Sequence, residues 1–201
     1  MVVMEQAEVA TDSGTDPRRQ GWIPWIAGVV TFLVVLGLGG VLVADWSWRN
    51  SEMQALLERV EASEAVMGEL QDAASEAFDE HSDAQDREKL DAELRDIAAA
   101  ATTDIAAAGL EVAALPIAVW HVDLERARDA YLLHNQAWVE YMDRASGSSA
   151  EFIAPQPLVN ETFIAAEPFF LEAIPAPDLY DFAERIQAIF AMPDEPSPDQ
   201  V

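Results

Sequence analysis

Residues 22–77, "WIPWIAGVVTFLVVLGLGGVLVADWSWRNSEMQALLERVEASEAVMGELQDAASEA", hold two kinds of helical signal end to end. The first 23 residues, Trp22 to Ala44, carry no charge. As a helix they would extend roughly 34 Å, enough for a bilayer core of about 30 Å. Pro24 falls in the first turn, where its missing N–H costs little. Trp22 and Trp25 at one end and Trp46 and Trp48 at the other match the aromatic belts of membrane interfaces. The run is longer than the apolar core of a cleaved signal peptide. Leu42 also stands where such a peptide needs a small residue before its cleavage site. The reading is an uncleaved, single-pass signal anchor, with the lipid bilayer as its first partner.

The second signal begins at Met53. Met53, Leu56, Val60, Ser63, Met67, Leu70, Ala74 and Ala77 follow steps of three and four, a coiled-coil-like stripe, with Glu58, Glu61, Glu69, Asp72 and Glu76 on the other face. Nothing between Ala44 and Met53 breaks a helix strongly, so one helix is expected to run on from the apolar segment. "DEHSDAQD", Asp79 to Asp86, is the expected turn. A second helix is expected from Ser82–Ala84, with Leu90, Leu94, Ile97, Ala101, Ile105 and Ala108 inward and either Gly109 as C-cap or an end near Leu115.

A third stripe, Trp120, Leu124, Ala127, Tyr131, His134, Trp138, Tyr141 and Ala145, is the most regular. After "ASGSSA", five prolines between Pro155 and Pro177 forbid one long helix. Two short helices are predicted there, one capped by Asn160 and one with Pro168 at its first position. A final helix opens at Asp178 and carries Leu179, Phe182, Ile186, Ile189 and Phe190, and a disordered acidic tail is expected from Pro193. The predicted fold is all-α: a polar tail over 1–21, a transmembrane helix over 22–44, an antiparallel four-helix bundle over 45–192, and the tail.

Charge constrains the partners. The chain of 201 residues has a net charge of −26, and 33 of its 37 acids lie from Asp45 onward. Such a domain repels nucleic acid and bare anionic lipid. Arg18 and Arg19 precede the apolar segment and Asp45 follows it, an asymmetry that puts the N-terminus in the cytoplasm and the domain outside. Gly37, Gly40 and Ala44 form a small-residue stripe that would allow helix pairing, and hence a homo-oligomer.

The absence of cysteine excludes disulfides, thiolate nucleophiles and Cys-ligated zinc. The residues three before the histidines are Phe78, Ala118 and Tyr131, so the Glu-x-x-His pairs of bundle di-metal sites are missing. HExxH, EF-hand, phosphate-loop and GxSxG patterns are missing as well. No enzyme, metal or cofactor is expected. The acids around His81 read as a solvated turn, and His121, Asp123 and Glu125 as the favourable acidic opening of a helix.

Two surfaces remain as candidates. Tyr131, His134, Trp138 and Tyr141 set polar tips on one apolar helix face, a common lining for a ligand or partner cleft, although aromatics at this spacing also fill cores. The apolar crossover, with Phe163, Phe169 and Phe170, is the second. The expected function is a protein-interaction or scaffold module of the cell envelope, working with a protein partner in the membrane or envelope. Small-ligand sensing through a membrane partner is the alternative.

Overall fold

The computed structural model describes residues 22–81 and 86–191 and is helical throughout, with no strand among the described residues. Among the described residues six helices occur: α1 (Trp22–Glu80), α2 (Arg87–Ala113), α3 (Val122–Gly147), α4 (Ser149–Phe152), α5 (Pro157–Ala173) and α6 (Phe182–Ile189). The chain divides into two compact units, Met1–Asp45 and Trp46–Val201.

In the first unit, α1 is long and apolar enough to cross a membrane, with an 18-residue stretch of mean hydropathy 2.6. Every residue from Trp25 to Ala44 is exposed. Arg18 and Arg19 lie outside the described residues, as does the side chain of Trp22, and Trp25 is 70% exposed.

In the second unit the stripe of α1 behaves as its spacing predicts. All eight positions from Met53 to Ala77 are buried, while Glu58, Glu69, Asp72 and Glu76 face solvent. The stripe is covered by the chain's own helices. Met53, Leu56, Leu57 and Val60 pack with Leu124, Tyr131, Phe170, Phe182 and Ile186. Further along, Met67 and Leu70 meet Ala98, Ile105, Tyr141, Met142 and Val159. Ala74 and Ala77 close the far end with Leu94.

Three side-chain links give the chain path. Arg59 reaches Glu111 late in α2, Arg49 reaches Asp123 at the start of α3, and Ser149 just after α3 reaches Asp91 early in α2. The helices therefore alternate in direction. The 114–121 connection lies at the Trp46 end of the unit and the 148–156 connection at the other.

The expected turn at Asp79–Asp86 falls partly outside the described residues, as do the start of the second helix and the tail from Pro193. α1 ends at Glu80, and α2 is formed by Arg87.

Several boundaries differ from the sequence reading. α2 continues past Gly109 to Ala113, and Gly109 is a close-approach residue instead of a cap. A Cβ added there would lie 2.2 Å from Asn135 Oδ1. Trp120 precedes α3, which starts at Val122.

The proline-rich crossover is one 17-residue helix, α5, preceded by the single turn of α4. Pro157 takes the first position and Asn160 lies inside, so Asn160 is not a cap. Pro168 sits within α5, which sequence rules disfavour. It is exposed, and so is Ile164, whose carbonyl it leaves unbonded, so water can serve that group.

α6 starts at Phe182, with Asp181 at its N-cap position, four residues later than the expected opening at Asp178. The Asp178 carboxylate accepts the N–H groups of Tyr180, Phe182 and Ala183. Burial pushes its pKa up, but these backbone bonds outweigh that and hold it below the usual value. Leu179, expected on the buried face, is 64% exposed.

Candidate functional site

The stripe on α3 meets α1 and α5 around one histidine. His134 is buried, and its Nδ1 lies 3.2 Å from the Val159 carbonyl and 3.3 Å from Thr162 Oγ1. Trp138, one turn later, donates its indole N–H to His134 Nε2 at 3.1 Å. An indole can only donate, so Nε2 must be unprotonated and Nδ1 must carry the hydrogen that meets Val159. The ring is therefore neutral in this network. Burial lowers its pKa to about 4, with the Val159 bond opposing. Glu64 Oε1 lies 3.8 Å from Nε2. With the ring neutral, that approach is not an ion pair.

Glu64 is instead held by Tyr131, whose hydroxyl donates to its Oε1 at 2.8 Å. Burial raises the Glu64 pKa to about 6, against the lowering effect of the Tyr131 bond. Burial and the adjacent carboxylate both raise the Tyr131 phenol. Tyr141 donates to the Phe152 carbonyl at 2.6 Å and ties α3 to α4.

The four predicted cleft residues thus divide. Tyr131 and His134 are interior, and both ring nitrogens of His134 are engaged, leaving it no free atom for a ligand. Trp138 is half-buried. Together with Tyr141 it lines a groove of about 490 Å³, with Leu70, Phe78, Phe152 and Gln156 among its other walls. This is within the size range of small-ligand pockets. Gln156 Oε1 is buried there with no hydrogen-bond partner among the described residues. The parts of Phe78 and Phe152 in this groove are not visible to helical periodicity, because they lie on separate helices, Phe78 being 60 positions before Trp138.

The crossover residues also divide. Phe170 is fully buried in the core. Phe163 is half-buried, its ring 4.8 Å from that of His134 and 4.9 Å from that of Phe190. Of these three only Phe169 is exposed, at 39%. The crossover thus gives Phe170 and Val159 to the core and leaves Ile153, Leu158, Ile164, Phe169 and Leu171 exposed.

A second polar cluster was not foreseen. Glu52 and His121, both buried, pair at 2.5 Å through Oε2 and Nδ1, and Glu52 Oε1 accepts the Ala118 N–H at 2.9 Å. Edge-on rings of Trp48 and Trp120 flank His121. Far along α1, ligand atoms of Glu80, His81 and Glu93 lie within 4.8 Å of one another and could hold a cation. His81 and Glu93 already satisfy each other at 2.7 Å.

No known protein family, curated protein or solved structure matches the chain. Its function must therefore be argued from its own geometry.

Proposed function

We propose that this chain is a single-pass membrane protein whose antiparallel four-helix bundle stands outside the cytoplasm and binds a protein partner in the membrane or envelope. The groove beside Trp138 carries this reading. It joins aromatic walls from α1, α3 and α4 to a buried, unpartnered amide oxygen, a combination suited to an apolar side chain with a hydrogen-bonding neighbour. Leu70 lies 24 residues after Trp46 on the same helix. The groove therefore stands roughly 36 Å along the unit from its start. A partner could reach it without contacting the bilayer.

Membrane attachment is supported by the exposed segment Trp25–Ala44, since soluble proteins rarely leave so much contiguous apolar surface exposed. The orientation rests on Arg18 and Arg19 before the segment and Asp45 after it.

Site-specific photo-crosslinking in the full-length membrane-embedded chain tests the reading. Crosslinkers at Phe78 and Gln156 should capture a discrete envelope protein, and one at Leu133, exposed away from the groove, should not. Equal capture at all three positions, or none, would overturn it. The size of the groove also favours a second reading, a small apolar ligand. A ligand-induced rise in melting temperature that is lost in Trp138→Ala would select that reading instead.

A further inference from the structure

Two loops at the Trp46 end of the second unit carry exposed apolar side chains. "ALPIAVWHV", residues 114–122, has no acidic residue, and "IPAPDLY", residues 174–180, has only Asp178, whose carboxylate is occupied by backbone N–H groups. The same loops place Val119, Trp120, Leu179 and Tyr180 in solvent, at 81%, 57%, 64% and 55% exposure.

The exposed side chains are fixed to the first turn of the unit. Trp48 packs edge-on against Trp120 with centroids 5.3 Å apart, and Trp46 stacks on Tyr180 at 6.3 Å. Glu52 holds the first loop from beneath through the Ala118 N–H and His121. Arg49 binds the Ala173 carbonyl, just before the second loop. Trp46 and Trp48 follow the last apolar residue, Ala44, by two and four positions. Along a helix these steps are roughly 3 and 6 Å, within the headgroup layer of about 5–8 Å that flanks each side of a bilayer core.

We infer that Trp48, Val119, Trp120, Leu179 and Tyr180 form a collar that seats the domain in the interfacial layer of the bilayer its own anchor crosses. The inference rests on the membrane-anchor reading. Tryptophan and tyrosine favour this layer because their rings are apolar and their tips polar.

The lack of native cysteine makes a direct test simple. Val119→Cys, Leu179→Cys, Ile153→Cys and Leu36→Cys variants of the full chain, each at an exposed position, are labelled with an environment-sensitive fluorophore in phosphatidylcholine vesicles. Nitroxide lipids are then added, with the spin label shallow or deep in the bilayer. Positions 119 and 179 should be quenched several-fold by shallow nitroxide, 36 by deep nitroxide, and 153 by neither. Quenching at 36 with 119 and 179 behaving like 153 would overturn the collar and leave the anchor standing. Equal quenching at 119, 179 and 153 would also overturn it, since the domain would then lie on its side. Absence of quenching at 36 would remove both readings.

Discussion

The indole of Trp138 donates to Nε2 of His134 across one helical turn, at 3.1 Å, and thereby fixes the imidazole as a neutral ring with its hydrogen on Nδ1. Protonating Nε2 would set two donors against each other inside the core. The folded pKa of about 4 lies below the ordinary 6.5, so the folded state binds fewer protons than the unfolded chain between those values. The contribution of His134 to stability should therefore fall as pH drops from 6.5 towards 4. His134→Gln keeps one acceptor for Trp138 and one donor for Val159 without a titrating group. Urea unfolding of the detergent-solubilised chain across this range should show the wild type losing stability relative to the variant as pH falls, with the opposing contribution of Glu64 present in both.

Glu64 acts with the opposite sign. Its folded pKa of about 6 exceeds the ordinary 4.5, so the folded state binds more protons and stability declines as pH rises from 4.5 to 6. Glu64→Gln preserves an acceptor for Tyr131 and removes the cost of the buried charge. At pH 7.5 the variant should be more stable by about 1–2 kcal/mol, a figure that follows from the size of the shift. Below pH 4.5 the difference should shrink, as both forms are then neutral. Unfolding curves at the two pH values check this.

Gly109 faces Asn135, whose amide nitrogen is held by the Ile105 carbonyl at 3.0 Å. Glycine to alanine inside a helix ordinarily gains about 1 kcal/mol. Here the new methyl group would lie 2.2 Å from Asn135 Oδ1. Overpacking of this kind costs about 1–3 kcal/mol and should prevail because the amide is tethered. Gly109→Ala should lower the melting temperature. The same change in an Asn135→Ala background should be neutral or stabilising.

Removing the Glu52 carboxylate leaves both the Ala118 N–H and the His121 imidazole without that acceptor in a buried site. Each unsatisfied group costs about 1–3 kcal/mol. Glu52→Ala should destabilise the domain by several kcal/mol, while Glu52→Gln, which keeps one acceptor, should lose less. Emission from Trp48 and Trp120, packed on His121, should shift to the red in Glu52→Ala before global unfolding.

The sequence made the helices legible wherever a stripe met a neighbouring helix squarely. All eight α1 positions are buried because steps of three and four hold one face inward, and the same logic placed Leu124, Ala127 and Tyr131 on α3. It failed where exposure reversed a local rule. Pro168 breaks one backbone bond, but on the solvent face, so α5 runs through the region predicted as two helices. Gly109 reads as a cap by residue type, while its role comes from Asn135, 26 positions away. The candidate site was half legible. Spacing placed four aromatic and imidazole groups on one face, but it could not separate Tyr131 and His134 in the core from Trp138 and Tyr141 on the groove. Nor could periodicity show that Glu52 and His121, 69 residues apart, would meet.

The most direct test of the account is topology, since the absence of native cysteine allows single reporters without background. Cysteine is introduced at exposed Leu133 or, separately, at Val3 in the full-length chain expressed in cells. A membrane-impermeant thiol reagent is then applied before and after permeabilisation. The chain should stay with the membrane through alkaline extraction. Position 133 should label in intact cells, and position 3 only after permeabilisation. Release by alkaline extraction would contradict the anchor, and the reverse labelling pattern would contradict the extracytoplasmic placement of the bundle.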